Sequence, residues 1–407
     1  ARKMKDSGIE WIGEIPEGWE VGQIGQLYSE RRTKVSDKDY PPLSVTMKGI
    51  LPQLSTAAKT DAHDDRKLVC KGDFAINSRS DRRGSCGISE QDGSISLINT
   101  VLQPRGEMNP GYYNWLFHTS MFADEFYKWG HGIVDDLWTT GWSDMKKIGV
   151  PVPSKCEQKQ LAEYLNVECS HIDSILSKTR ASIEEYKKLK QAVITQAVAT
   201  QQCSHIKLKY LMNVIVDCPH ETPTYSFTGN YYVIRTADQA LASLRCDEDM
   251  YRLDASEYKK RTRRLTLDKD DIVYGREGER WGLACIVPES NKYCLGQRIM
   301  QFRCNTKFLY PKYAMYALNS EPVYLQGVAD TIGSTSPHVN ISTICNYLLP
   351  VPALTEQKEI ANHLDAKCAE IDGLIAKKEQ LVKELESYKK SLIYEVVTGK
   401  REVQNYE

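Results

Sequence analysis

The sequence predicts a duplicated α/β protein: two α/β globular domains joined by two long antiparallel coiled-coil helices, the halves related by an internal pseudo-two-fold repeat. Three observations predict it. Pro151-Val152-Pro153 followed by Glu157-Gln158-Lys159 recurs 199 residues later as Pro350-Val351-Pro352 followed by Glu356-Gln357-Lys358. Behind each copy, apolar residues recur at heptad spacing over about forty residues. Ahead of each copy, the chain shows a fainter likeness to itself at an offset of 198.

The repeat is the firmest of the three. Without a gap it pairs Ala162 with Ala361, Leu165 with Leu364, Cys169 with Cys368, Ile172-Asp173 with Ile371-Asp372 and Ile194 with Ile393, so roughly a third of some fifty positions are identical. So long a period excludes a solenoid unit of about 20 to 50 residues and means two copies of a whole module. The organisation read from it is a globular domain over 1–150, a helical spacer over 151–204, a second globular domain over 205–349 and a second spacer over 350–407.

Each spacer begins as a helix should. Ser154 with Glu157 makes a capping box after Pro153, and Thr355 is the candidate N-cap of the second copy. Leu364, Ile371, Leu385 and Leu392 fall on one heptad series, with Leu374, Leu381 and Tyr388 as companions and Lys378 interrupting them. The first copy offers Leu165, Ile172, Tyr186 and Val193, with Ile175 and Leu189 as companions and Thr179 and Ser182 as interruptions. Forty helical residues extend about 60 Å.

In the globular parts, Lys71, Asp73, Arg82, Gly84 and Ile88 align with Lys269, Asp271, Arg280, Gly282 and Ile286. Both stretches read as a short apolar strand, a loop rich in Gly and Arg, and a second apolar run. Asn109-Pro110-Gly111-Tyr112-Tyr113 and Tyr310-Pro311-Lys312-Tyr313 each introduce an aromatic helix.

Composition bounds the function. A net charge of −1 gives no general positive field, and the two globular regions hold 19 basic against 21 acidic and 18 against 16 side chains, so phosphate contacts must come from local surfaces. Twelve cysteines without a Cys-x-x-Cys pair read as reduced thiols of a cytoplasmic protein rather than as a zinc site. No apolar run approaches the length of a membrane span. Asn109-Pro110-Gly111-Tyr112 nearly matches the amine-holding loop of amino-methyltransferases, but its third residue is Gly and no cofactor loop accompanies it. Gly130-His131-Gly132 is too short for a phosphate cradle, and Glu157-x-Lys159 reads as a helix start rather than half of a nuclease site. No catalytic centre, metal site or cofactor site is expected in this chain.

The run Gly8-Ile9-Glu10-Trp11-Ile12-Gly13-Glu14-Ile15-Pro16-Glu17-Gly18-Trp19, the twice-used Pro-Val-Pro and Glu-Gln-Lys helix openings, and the closing Leu392-Ile393 to Thr398-Gly399-Lys400 closely resemble the DNA-specificity subunits of type I restriction-modification systems. The resemblance runs from end to end. It implies two target-recognition domains, each reading half of a bipartite site on double-stranded DNA, spaced by the helical segments. It further implies two methyltransferase subunits carrying S-adenosylmethionine, docked on helices marked by Leu165, Ile172, Leu364, Ile371, Leu385 and Leu392, and restriction subunits that translocate DNA with ATP and Mg. In such a protein the candidate DNA contacts are Arg79, Arg82 and Arg83 in the first Gly-punctuated loop and Arg276 and Arg280 in its counterpart. Lys260 and Arg261 in the run Lys259 to Arg264, His131 after Trp129, and His338 and Asn340 in the polar stretch Ser334 to Asn340 complete the set. The heptads alone would also permit a scaffold or adaptor that reads no DNA.

Overall fold

Aromatic side chains from distant parts of the sequence organise the first half of the protein, whose computed structural model describes residues 2–53, 64–132, 138–199, 203–245, 247–331 and 337–403. The chain divides into two units, residues 1–179 with 381–407 and residues 180–380. In the first unit Trp11, Ile15, Trp19, Tyr28, Phe74, Tyr112, Tyr113, Phe117, Phe122 and Phe126 are all buried in one cluster. Their rings meet edge-on or tilted, as Phe117 does with Phe122 at 4.5 Å and Tyr112 with Tyr113 at 4.9 Å, the geometry that aromatic quadrupoles favour.

This unit carries a four-stranded antiparallel sheet in the spatial order Cys86–Ile88, Phe74–Asn77, Asn99–Pro104, Tyr28–Glu30. The second unit has the same sheet from equivalent segments, in the order Ala284–Ile286, Ile272–Gly275, Ile299–Cys304, Met212–Asp217. Helices Pro110–Phe117 and Ser120–Lys128 of the first unit have counterparts in Pro311–Leu318 and Glu321–Val328 of the second. The smaller sheets differ. Gly93–Ile95 pairs antiparallel with Arg66–Val69 in the first unit, whereas Tyr293–Leu295 pairs parallel with Tyr231–Ile234 in the second.

The Pro-Val-Pro segments are strands, Gly149–Val152 against Glu20–Gln23 and Leu348–Val351 against Ser204–Lys207. Their proline carbonyls accept from the aromatic helices: Tyr113 Oη donates to Pro151 O at 3.4 Å, and Tyr313 Oη to Pro350 O at 2.9 Å. The glutamine of each Glu-Gln-Lys is the buried fastener of its module. Gln158 accepts from Asn109 N and donates to Pro153 O, both at 2.8 Å. Gln357 repeats this with Tyr310 N at 2.7 Å and Pro352 O at 2.8 Å, and also donates to Phe308 O. Backbone groups at the mouths of the aromatic helices are thereby satisfied where water is excluded.

The long helices are Lys155–Ala199 and Leu354–Val397. Ser154 caps the first, accepting from Glu157 N at 3.3 Å. In the second, Gln357 N donates to Ala353 O, so Ala353 holds the cap place and Thr355 sits inside the first turn, contrary to the expected N-cap. Within each unit the end of one helix runs antiparallel to the start of the other. In the first, Lys389 Nζ meets Asp173 Oδ1 at 2.6 Å; in the second, Lys190 Nζ meets Asp372 at 2.7 and 2.9 Å while Lys378 lies over the Tyr186 ring.

One of the two expected heptad series forms the seam. Leu165, Ile172, Leu364, Ile371 and Leu392 are buried and Leu385 is half-buried. The expected companions are not in it: Ile175, Leu189, Leu374, Leu381 and Tyr388 are 36–47% exposed. Ala361, Cys368, Ile375, Val382, Lys389 and Val396 take the companion places in the second helix, and Cys169, Leu176, Ile183 and Lys190 in the first.

Lys190 is buried in this seam with its side chain 6% exposed, while Asp372 is 46% exposed. Removing only the acid strands a desolvated ammonium, so Asp372→Ala is expected to lower unfolding stability by about 2–3 kcal/mol. Lys190→Met, which removes the buried charge, keeps the volume and leaves Asp372 where solvent reaches it, should stay within about 1 kcal/mol of the parent. Denaturant unfolding of the two variants checks the difference.

Candidate nucleic-acid interface

The Gly- and Arg-rich loops are the same backbone device built twice. Each follows the second strand of its four-stranded sheet, and each turns on a left-handed glycine, Gly84 at φ 73° and Gly282 at φ 88°. Each also pairs with the polar stretch that closes its domain: Arg79 bridges Thr139, and Glu277 bridges His338. The loops that the sequence placed apart therefore converge within each unit.

In the first unit, Arg79 stands exposed at the start of the turn Ser80–Arg82. Arg82 points to solvent with its side chain 70% exposed, 3.8 Å from Asp81. Arg83 reaches Asp124 at 2.8 Å and lies over the Tyr127 ring. His131 pairs with Thr139 through its backbone and presents an exposed ring 3.5 Å from Asp144 Oδ2. Three arginines and a histidine thus share one polar edge, with acids close enough to hold them and no burial to immobilise them.

The second unit uses the same frame differently. Arg280 occupies the place of Arg82 but folds back, donating to Ala237 O at 2.9 Å and Gln239 O at 3.1 Å. Arg276 is buried, against Glu277 on one side and Asp217 at 3.5 Å on the other. Asp217 in turn holds His220 at 3.0 Å. Asn340 donates to Asp330 at 3.1 Å, and His338 is half-buried beside Glu277. Residues 334–336 of the polar stretch lie outside the described residues.

Two expected contacts are corrected. Arg261 does not reach the surface: its guanidinium is 2% exposed and donates to Leu295 O, Glu221 O, Gly296 O and Pro219 O at 3.0 to 3.5 Å. It ties three backbone segments together from inside. Arg276 is similarly spent on its two acids. Lys260 remains exposed, paired with Glu221 at 2.9 Å. The run Lys259 to Arg264 read as a uniform basic face because charge in a sequence does not tell which side of a short helix, here Ala255–Arg261, looks inward. Sequence reasoning also missed an open cavity of about 520 Å³ lined by Tyr225, Phe227 and Tyr251. No spacing announces it; Tyr225 and Tyr251 meet only through the fold, at 4.7 Å, with Arg235 over the Tyr251 ring at 3.7 Å.

The motifs set aside in the sequence have structural explanations. Asn109 caps the helix Pro110–Phe117, accepting from Tyr112 N. Glu157 accepts from Trp19 Nε1 at 2.8 Å and pairs with Arg2 at 2.6 Å, so it anchors the N-terminal run. Asp217, Cys218 and His220 bring donor atoms within 4.8 Å of one another. They do not suit a divalent cation: burial pushes the Cys218 thiol up, away from the thiolate a metal needs, and Arg276 already leans on Asp217. The cysteines among the described residues are all free thiols, and burial pushes Cys285, Cys294 and Cys304 up to about 12. No described helix is long and apolar enough to cross a membrane.

A chain of two α/β units that repeat one sheet, one fastening glutamine and one arginine loop, with antiparallel helices of forty-odd residues, belongs to the class of internally duplicated α/β proteins. Comparison with known proteins shows what the chain resembles. Residues 218–384 match the model of the type I restriction modification DNA specificity domain. The MjaVIII specificity subunit of Methanocaldococcus jannaschii is 22% identical, over 96% of this chain and 95% of that protein. The EcoBI specificity subunit of Escherichia coli is 29% identical over 32% of this chain and 27% of its own length. Among solved structures, a chain of a type I R-M system superposes with a TM-score of 0.72 at 13% identity, covering 95% of this chain and 99% of that one. The HsdS subunit from Thermoanaerobacter tengcongensis gives 0.51 at 15%, covering 95% and 98%. The chain is thus similar over nearly its full length to a type I restriction enzyme specificity subunit, and it shares the fold of the two solved chains.

The brace at Arg261 gives a stability test. Arg261→Met leaves at least three carbonyls without their donor, and the variant is expected to unfold about 2–4 kcal/mol more easily. Arg82→Met, at an exposed turn, should change stability by less than about 0.5 kcal/mol. Thermal melts of the two variants make the comparison.

Proposed function

We propose that this chain supplies DNA sequence specificity to a type I restriction-modification complex, each unit reading one half of a bipartite site. The observation that carries this reading is the pairing of a shared scaffold with divergent loops. The four-stranded sheets, the fastening glutamines and the arginine turns agree between the units, while Arg82 and Arg280 are used in opposite ways. Two readers of different sequences need such a division, because phosphate contacts and framework position a domain but base contacts specify. A scaffold that read no DNA would have no use for it.

On this reading the chemistry lies elsewhere. The chain contributes no catalytic residue, and adenine methylation is carried out by two methyltransferase subunits with S-adenosylmethionine. Cleavage belongs to restriction subunits that translocate DNA with ATP and Mg, and the assembly works in the cytoplasm. Leu165, Ile172, Leu364, Ile371 and Leu392 are spent on the chain's own core and Leu385 is half-buried against it. The outward positions Val167, Ile175, Leu381 and Tyr388 in the first unit, and Leu189 and Leu374 in the second, are the better candidates for docking the methyltransferases. In the first unit Arg79, Arg82, Arg83 and His131 are the proposed DNA contacts; in the second Lys260, Arg280, His338 and Asn340 are, with Arg276 and Arg261 holding loops.

Replacing residues 206–349 with the matching region of a relative should change one half of the methylated sequence and leave the other intact. Methylome sequencing of a host carrying the complete system checks this, and a joint change of both halves would refute independent reading. The spacer gives a second test. One heptad inserted after Ser182 and another after Leu381 lengthens each helix by about 10 Å, or about three base pairs of DNA. The gap between half-sites should grow while the half-sites persist; an unchanged gap in an active variant would show that the helices do not set it.

A further inference from the structure

The second unit contains a built basic pocket on the same edge as its arginine loop. Cys218 to Glu221 on one side and Lys260 to Arg264 on the other enclose a cavity of about 210 Å³. Its position follows from contacts already described: His338 bridges Glu277, Glu277 and Asp217 flank Arg276, and Asp217 holds His220 at the pocket rim. Beneath it lies the Arg261 guanidinium, which donates to the carbonyls of Pro219 and Glu221 and is met by an acid only at 3.9 Å, by Glu257. A buried cation with so distant a counter-charge leaves a positive potential above it that solvent screens poorly.

The charges at the rim differ in their freedom. Lys260 is held by Glu221, the one acid lining the cavity. Arg263 and Arg264 are exposed and form no ion pair among the described residues. Glu221, already bonded to Lys260, is the carboxylate whose field also reaches Arg263 and Arg261, so three arginines and a lysine share one lining acid, and the excess positive charge suits an anion with several acceptor oxygens. A divalent cation is disfavoured at the same place by the same charges.

We infer that this pocket seats one phosphate of the DNA backbone, with Arg263 and Arg264 as its ligands, Arg261 as the positioning residue beneath them and Lys260 in support. The inference rests on the DNA-reading function proposed above and assigns this site the sequence-independent part of binding. It predicts that the second unit is docked on its half-site by a fixed point of attachment, from which the neighbouring loop reads.

The test uses the complex assembled with its methyltransferase subunits, cognate and single-mismatch duplexes, and a salt series, for Arg263→Gln with Arg264→Gln together. Both residues are exposed, so folding is expected to survive, and a melting curve verifies it. The variant should bind about tenfold or more weakly, to cognate and mismatched DNA alike, and the slope of log affinity against log salt should become shallower by about one unit. Unchanged affinity and slope in a folded variant, with the parent complex still discriminating its site, would overturn the pocket and leave the DNA reading standing. Loss confined to one base pair would also overturn it, by making an arginine a base reader. A parent complex that failed to distinguish cognate from mismatched duplex would instead overturn the reading on which the pocket depends.

Discussion

A lysine meeting an aspartate across two antiparallel helices, made twice, is the constraint on which the rest of the protein depends. Lys190 with Asp372 and Lys389 with Asp173 are the same pair under the 199-residue repeat. A ladder of Leu, Ile, Val, Cys and Ala can slide by a heptad at little cost, whereas a charged residue at a core position tolerates one register. Its contribution to stability is small beside its contribution to specificity, since a methionine would fill the place as well. With the register fixed, the last turns of each helix arrive where the cores need them: Leu392, Val396 and Val397 in the first unit, Ile194 and Val198 in the second.

The units inherit a common frame and spend it differently. Gln158 and Gln357 close the same backbone gap, and Tyr113 and Tyr313 lock the same proline carbonyl. These positions are buried and polar, so each substitution leaves a donor or acceptor unmet, and drift there is penalised. The smaller sheets do not share such a fastener between the copies, and there the copies diverge, to the point that a strand pair is antiparallel in one and parallel in the other.

What the sequence disclosed follows the same division. The duplication, the aromatic helices, the first helix cap and one heptad series were legible because each depends on residue type at fixed spacing. The companion series differs from the expected one because Leu374, Leu381 and Tyr388 are larger and more apolar than Ala361, Cys368 and Lys389, and both sets lie at alternating three- and four-residue steps from the shared series, so spacing could not choose between the two flanks and only the fold buries the smaller set. The Glu-Gln-Lys motif drew notice to its glutamate as a cap, while the buried work falls to its glutamine and the glutamate serves Trp19 and Arg2. The arginines were visible as charge, but exposure separates Arg82 from Arg261, and exposure is a property of the folded surface.

The helices also impose an order on folding. Each leaves the module that begins it and ends inside the other unit, so the two copies exchange their helix ends reciprocally, as domain-swapped partners do. The first unit cannot close its core from its own module: Tyr112 Oη donates to Val397 O, and Ile12 O accepts from Tyr394 Oη and from Lys400 Nζ at 3.0 Å. Contacts spanning nearly four hundred residues are the slowest to form, because the loop they close must be ordered first. During synthesis the module made first therefore waits, its aromatic core open along one side, until the final turn of the second helix has left the ribosome, and the unit interrupted in sequence is the last to become native.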